Sequence, residues 1–149
     1  MIHDDDHQWK LQSAEQMRKL ASQQTFDKNL KQLFEENAQY LEELAGSDVH
    51  ALGGYIKVII LHLLKKDYQP EMEGRSWKKS IRNARGEIDS LFVNMPSLRN
   101  KANKQIPSAY KRAKNEASDE TDLELKTFPN ECPYSIEQIL DDNFFGNNQ

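Results

Sequence analysis

Cysteine, glycine and proline are scarce in this chain, and each shortage excludes a class of structure. The single cysteine, Cys132, cannot form an internal disulfide, so a disulfide-stapled secreted domain is excluded and a reducing, cytoplasmic setting is expected. Six glycines and five prolines in 149 residues leave no flexible or Pro-rich linker. The sequence therefore predicts one domain over residues 1–149.

Long apolar runs are also missing. The longest, YIKVIILHLL from Tyr55 to Leu64, is interrupted by Lys57 and His62. It falls short of the roughly 20 apolar residues that a transmembrane helix needs. The first residues, MIHDDDHQW, are acidic and lack the apolar core of a secretory signal. We therefore expect a soluble protein with no membrane partner.

Sequence motifs for catalysis and cofactor binding are absent too. No Gly-rich phosphate loop, Cys-x-x-Cys pair, His-Glu-x-x-His helix or Gly-x-Ser-x-Gly elbow occurs, so enzyme function is disfavoured and no catalytic residue or cofactor is predicted. The run HDDDH at 3–7 has metal-ligand residues, with His3 and His7 on one helical face. Chain ends usually lack the surrounding groups that hold ligands in place, so residues 1–7 are predicted to be a mobile, solvated terminus rather than a metal site.

The regular pattern that is present is helical. Apolar residues recur every three or four positions, which predicts an all-α, single-domain bundle of four to five main helices with a short C-terminal docking helix. The first helix is predicted over about 8–21 and the second over about 27–45, with Gly46 just after its end. Their predicted core-facing residues are Trp9, Ala14, Met17 and Ala21, and then Leu30, Leu33, Phe34, Asn37, Leu41 and Leu44.

Three more helices and a tail follow. The third, about 49–66, is apolar on most of its circumference and is predicted to be central. The fourth is expected to start at Ser76 as N-cap, and the fifth at Pro96 or Ser97, with a break near Gln105 because of the proline two residues later. Their predicted apolar stripes are Trp77, Ile81, Ala84, Ile88 and Leu91, then Leu98, Ala102, Ile106, Ala109 and Ala113.

The predicted tail, 119–149, carries local signals for docking on the bundle. Ser135 and Gln138 have the spacing of a capping box at the start of a short helix. A tail with its own helix signals and several large apolar residues is expected to pack rather than to remain free. The residues expected to touch the bundle are Phe128, Ile136, Leu140 and Phe144.

Six short motifs occur in order along the chain: HLLK at 62–65, YQP at 68–70, RSW at 75–77, PSL at 96–98, AYKRA at 109–113 and FPNECPYSIEQIL at 128–140. Together they resemble a bacterial family catalogued as domain of unknown function 29, over about Trp9 to Phe144. The resemblance implies an all-helical bundle. It implies no catalytic residue, because the family has none assigned.

Charge is segregated along the sequence. Residues 75–114 hold eleven Lys or Arg and two acids, a net charge of +9, whereas residues 115–149 have a net charge of −8. This cationic centre is the candidate binding face, either neutralised by the acidic tail or free to grip phosphates. Its residues are Arg75, Lys78, Arg82, Arg85, Lys101, Lys104, Lys111 and Arg112.

Four single residues are candidates for a polar core or a functional role. His62 has the chemistry for proton transfer, but a lone histidine on a buried helix more often holds two helices together by a hydrogen bond. Cys132 follows a carboxylate, which opposes thiolate formation. Asn37 within an apolar stripe predicts a hydrogen-bond partner or a polar contact that fixes helix register. Trp77 is predicted to anchor the entry of the fourth helix.

These observations favour a small non-catalytic interaction protein that binds another protein or self-associates through the segment 75–114. The alternative is a nucleic-acid-binding regulatory or defence-related accessory protein that uses the same cations. An enzyme acting through His62 or Cys132 is the third hypothesis. The partner and the oligomeric state are left open.

Overall fold

A computed structural model describes residues 5–24, 27–72 and 75–147, without the side chains at positions 72 and 75. Six α-helices follow one another, and no strand occurs in the described ranges. They are α1 (Asp6–Gln23), α2 (Lys28–Tyr68), α3 (Arg75–Asn94), α4 (Arg99–Ala102), α5 (Ile106–Thr121) and α6 (Ile136–Leu140). The prediction of an all-α single domain is confirmed.

Helix α2 organises the fold, because α1, α3 and α5 all pack on it. Its C-terminal half carries the largest fully buried residues, among them Leu52, Ile56, Ile59 and Ile60. The apolar stripe of α3 and that of α4 and α5 pack on this half of α2. The predicted residues of both stripes belong to the core or pack against it. Of the described helices, α2 alone is long and apolar enough to cross a membrane by length and composition, a test that core helices also pass.

The predicted end of a helix at Gly46 is wrong. Helix α2 runs unbroken for 41 residues through that position, which is exposed and helical. A glycine can end a helix when its backbone takes a positive φ. In the described ranges Gly146 is the glycine with a positive φ, and Gly46 has none. At Gly46 the chain continues because the following residues, from Leu52 onward, bury apolar side chains on the same helix.

The predicted interruption near Gln105 is present. The segment after α3 alternates between 3₁₀ and α geometry: Pro96–Leu98 is 3₁₀, α4 follows, and Asn103–Gln105 is 3₁₀ again before α5 begins. Pro107 lies in the first turn of α5, where the missing N–H costs no helical hydrogen bond. Helix α3 begins at Arg75, one residue before the predicted cap at Ser76.

The C-terminal tail docks on the bundle as predicted. Ser135 and Gln138 form both hydrogen bonds of the capping box that starts α6. Phe128 is buried in the core, and Ile136, Leu140 and Phe144 pack against it. The tail also makes polar contacts with the helices, since the Tyr134 hydroxyl donates to Asp67 Oδ2 at 2.6 Å. The Tyr110 hydroxyl donates to the carbonyl of Pro129 at 2.5 Å.

Arg85 is the main polar anchor of the tail. Its guanidinium donates to the carbonyl oxygens of Ile139 at 2.8 Å, Gln138 at 3.2 Å and Phe144 at 2.7 Å. The side chain is only 2% exposed. Arg85 therefore joins α3 to the tail and is not part of an exposed cationic face.

Candidate functional site: a two-helix arm

The N-terminal half of α2 packs against α1 as an antiparallel pair that extends from the core. Two sets of contacts fix the register: Arg18 forms a two-pronged pair with Glu42, and Asp48 accepts from both His7 and Lys10. We call α1 together with residues 28–47 of α2 the arm. No described apolar residue before Val49 belongs to the main core or packs against it.

The buried seam of the arm consists of small residues at seven-residue intervals. Ala14 and Ala21 on α1 and Ala38 and Ala45 on α2 are each at most 2% exposed. The register places Ala14 level with Ala45 and Ala21 level with Ala38. Seven-residue spacing is typical of helices paired as in a coiled coil, and alanine lets the two backbones approach closely.

The larger apolar residues of the arm are not buried by this seam. Successive residues of an α-helix are rotated by about 100° around its axis. This rotation places one group of apolar side chains on a single side of the arm, the side on which the Lys10–Asp48 pair lies. All of its apolar members are only partly buried. We call this group, with the exposed Asn37 among it, the arm face: Met17, Leu20, Leu30, Phe34, Leu41 and Leu44.

The structure therefore corrects the predicted core of the first two helices. The stripe from Leu30 to Leu44 does not face the main core, and Asn37 is exposed, with no side-chain hydrogen bond among the described residues. Trp9, also predicted to point inward, is 39% exposed. It lines a groove of about 360 Å³ beside the arm face together with Gln12, Ser13, Gln16 and Met17.

Charged residues of the arm lie on the opposite side. The same helical geometry places Arg18, Glu35 and Glu42 there, and the Arg18–Glu42 pair holds the pKa of the Glu42 carboxyl below its usual value. Between the Lys10–Asp48 pair at the base and Gln24 at the tip, the arm face carries no charge among the described residues. The arm thus has one apolar side and one charged side.

His7 is a buried residue that the sequence analysis placed in a mobile terminus. Its ring is fully buried, and Nδ1 lies 3.0 Å from Asp48 Oδ2. Asp5 caps α1 and also accepts from the backbone N–H and hydroxyl of Ser97. A signal for this burial was available, since His7 precedes Ala14 and Ala21 by one and two heptads.

His3 lies outside the described residues, and the described part of the chain contains no metal-ligand cluster.

Apart from Arg85, the described cations of the candidate binding face do not pair with the acidic tail. Within the described ranges no ion pair joins the exposed Lys78, Arg82, Lys104, Lys111 or Arg112, or the partly buried Lys101, to any carboxylate. Acids that follow the segment pair with α2 instead, as Glu116 does with Lys57 at 2.9 Å and Glu120 with Lys65 at 3.4 Å. The side chain of Arg75 lies outside the described part of the chain.

The cations also divide into two groups. Lys78 and Arg82 lie on α3 and flank the ring of Phe145, at 4.9 and 5.3 Å from its centroid. That ring packs edge-on against Trp77, which is 9% exposed and anchors the start of α3. The second group belongs to α4, α5 and the turn between them: Lys101, Lys104, Lys111 and Arg112. Each group is carried by a helix that packs on α2.

The structure places His62 and Cys132 in partly buried surroundings that shift their pKa values. Burial lowers the pKa of His62, the Lys65 cation lowers it further, and Nδ1 has no hydrogen-bond partner in the described structure. The partner expected for His62 is therefore not found at Nδ1. Burial raises the pKa of the Cys132 thiol, which favours the unreactive protonated form. Among the described residues no side-chain hydrogen bond joins His62 or Cys132 to an acid or a base, although the Glu120 carboxylate opposes the lowering of the His62 pKa through space.

The fold and this surface define a class: an all-α single domain with a protruding antiparallel helix pair. A sequence model of the family described as domain of unknown function DUF29 matches residues 2–145. The chain belongs to this family, as the six ordered motifs predicted. No curated protein and no solved structure matches the chain.

Proposed function

We propose that this protein is a small, non-catalytic interaction protein that binds a helical protein surface through the arm face. One observation carries the proposal: six large apolar side chains on two adjacent helices are left only partly buried, on a stretch of the arm that carries no charge between the Lys10–Asp48 pair and Gln24. Contiguous apolar surface with polar surroundings is typical of protein contact sites. The proposed working surface thus moves from the segment 75–114 to the arm.

Heptad spacing indicates what kind of surface would bind there. Leu30, Asn37 and Leu44 recur every seven residues, as do Phe34 and Leu41. Side chains in this pattern pack between the side chains of another helix with the same repeat. A helical partner is therefore favoured over an extended peptide, for which the described ranges offer no sheet edge.

The test is site-specific photo-crosslinking in cells that express the protein. A photoreactive amino acid replaces Leu41 on the arm face or, as the matched control, Gln39 on the charged side of the same helix. The proposal predicts a discrete protein adduct from position 41 and none from position 39. Equal labelling at both positions, or no adduct from position 41, would refute it.

Nucleic-acid binding remains a second candidate because the two groups of cations on α3 and on the α4–α5 segment have no carboxylate partner among the described residues. Unpaired surface cations are available for phosphate contact, and such binding weakens steeply with salt. Fluorescence anisotropy with labelled DNA and RNA tests it, using Lys78→Glu with Arg82→Glu as the variant. Salt-sensitive binding that this double variant abolishes would favour the second candidate over the first.

A further inference from the structure

The arm face has the dimensions of one half of a four-helix bundle, and we infer that its partner is a second copy of this chain. The inference rests on the proposed function, since it names the partner of the same surface. The two arms would meet face to face about a two-fold axis, so that each residue of the face contacts the same face of the other copy.

The width of the face favours a helix pair as its partner. The apolar residues extend across both helices, from Met17 and Leu20 on α1 to Leu41 and Leu44 on α2. Two adjacent helices span about 20 Å, and a single helix of about 10 Å diameter would cover only half of that width. A second arm has the matching width, the matching length and the same seven-residue spacing, so its side chains can fit between those of the first.

The position of the charges permits an identical copy to approach. Residues 1–49 carry ten acids and five Lys or Arg, so two copies of this region would repel each other if the charges met. Most charged residues of the arm instead lie on the side away from the arm face, and the charges on its own side, Lys10 and Asp48, pair with each other at the base of the arm. Proteins that avoid self-pairing place charges on the exposed apolar surface, and the arm face has none.

The available area is close to what a stable dimer requires. The arm face runs from Leu30 to Leu44, 15 residues of α2, so it is about 22 Å long and has a projected area of about 450 Å². The accessible area of a surface with protruding side chains exceeds its projection. It therefore approaches the roughly 800 Å² per partner of a standard specific interface.

In a dimer formed through the arm face, Asn37 would set the register of the two arms, a role that it does not have in the single chain. It is exposed, makes no side-chain hydrogen bond among the described residues, and lies one heptad from both Leu30 and Leu44 on the arm face. A single polar residue at such a position specifies the register of a helical bundle at some cost in affinity. The Asn37→Leu variant is expected to associate more tightly than the unmodified chain.

Sedimentation equilibrium of the purified full chain, from about 1 to about 200 µM, tests the inference because this range brackets micromolar dimers. The unmodified chain is expected to reach twice its 17.3 kDa mass. Leu41→Glu and, as a second variant, Phe34→Glu are each expected to weaken association by about 100-fold or more, since they bury charge in the interface. Gln39→Glu adds the same charge on the other side and is expected to leave association unchanged.

The outcomes separate this inference from the proposed function. A monomeric mass at every concentration, or dimers that Leu41→Glu and Phe34→Glu do not weaken, would overturn the second copy as partner. If crosslinking from position 41 then yields an adduct with a different protein, the proposed function stands without the dimer. If it yields no adduct, both are refuted. Circular dichroism of each variant confirms that the helices are retained.

Discussion

At the scale of single residues, Arg85 separates the structure from the sequence pattern most clearly. Its spacing from Lys78 and Arg82 on α3 predicted a shared cationic stripe. The structure instead buries it against three carbonyl oxygens of the tail, a contact between residues more than fifty positions apart. Helical spacing shows which residues share one face of a helix, but it contains no information about what covers that face.

We predict that Arg85→Met destabilises the protein by about 2–4 kcal/mol, because one buried and two partly buried carbonyl groups lose a charged donor. Methionine keeps an apolar stem of similar length, so the lost hydrogen bonds account for most of the effect. Urea denaturation measures the change. Arg82→Met, an exposed neighbour on the same helix, is expected to change stability by no more than about 0.5 kcal/mol. Equal effects would show that Arg85 does not anchor the tail.

His62 predicts a pH dependence of stability. Burial lowers the pKa of its imidazole in the folded protein, whereas the unfolded chain has the ordinary value of about 6.5. The unfolded state therefore binds the proton more readily than the folded state does. The contribution of His62 to the free energy of unfolding is lost as the pH falls below about 6.5. His62→Gln is expected to flatten the fall in unfolding free energy between about pH 7 and pH 5.

The measurement for His62 is urea denaturation across that pH range. The unfolding free energy of the unmodified chain should fall more steeply with decreasing pH than that of His62→Gln. His50→Gln, which removes an exposed histidine from the same helix, is the control for the loss of one imidazole. A slope that His62→Gln leaves unchanged would contradict the lowered pKa.

At the scale of helices, the sequence correctly predicted which faces of the core helices are buried. The same reasoning was wrong for the two helices of the arm, whose apolar face lies outside the core. The stripes of α3 and of α4 with α5, the break near Gln105 and the capping box at Ser135 follow from local rules, and all are present. The stripe from Leu30 to Leu44 has the same periodicity but does not face the main core. Periodicity identifies an apolar face, and it cannot distinguish burial within the chain from burial against another molecule.

Gly46 tests whether α2 is continuous. A Cβ atom added there would meet nothing within 4 Å, and the backbone is helical. Gly46→Ala is therefore expected to stabilise the protein by about 0.5–1 kcal/mol. The contrasting variant is Gly146→Ala, where φ is +112° and the new Cβ would lie 2.5 Å from Asp67 Oδ1.

Thermal or urea denaturation measures both glycine variants. Gly146→Ala is expected to destabilise the protein, because an L residue at that φ is strained and the tail must shift away from Asp67. If Gly46→Ala were also destabilising, position 46 would have the left-handed backbone of a helix end. The long continuous α2, and with it the arm, would then be contradicted.

At the scale of the whole molecule, the chain divides its surface between two chemistries. The arm places an apolar face beside a charged exterior, and the two groups of cations on α3 and on the α4–α5 segment have no carboxylate partner within the described ranges. The charge segregation was visible in the sequence. The arm was not predicted, because its existence depends on α2 extending past the core by the length of a second helix.

Hydrogen exchange of the purified full chain at about 1 and about 200 µM tests the central claim, because exchange reports protection helix by helix. The account predicts slower exchange at the higher concentration in residues 13–24 and 28–45. Exchange in the core of α2, at 56–64, should stay the same, and Leu41→Glu should abolish the difference in the arm. Arm exchange that does not depend on concentration, or protection confined to residues 78–82, would contradict the arm face as the contact surface between two copies of the chain.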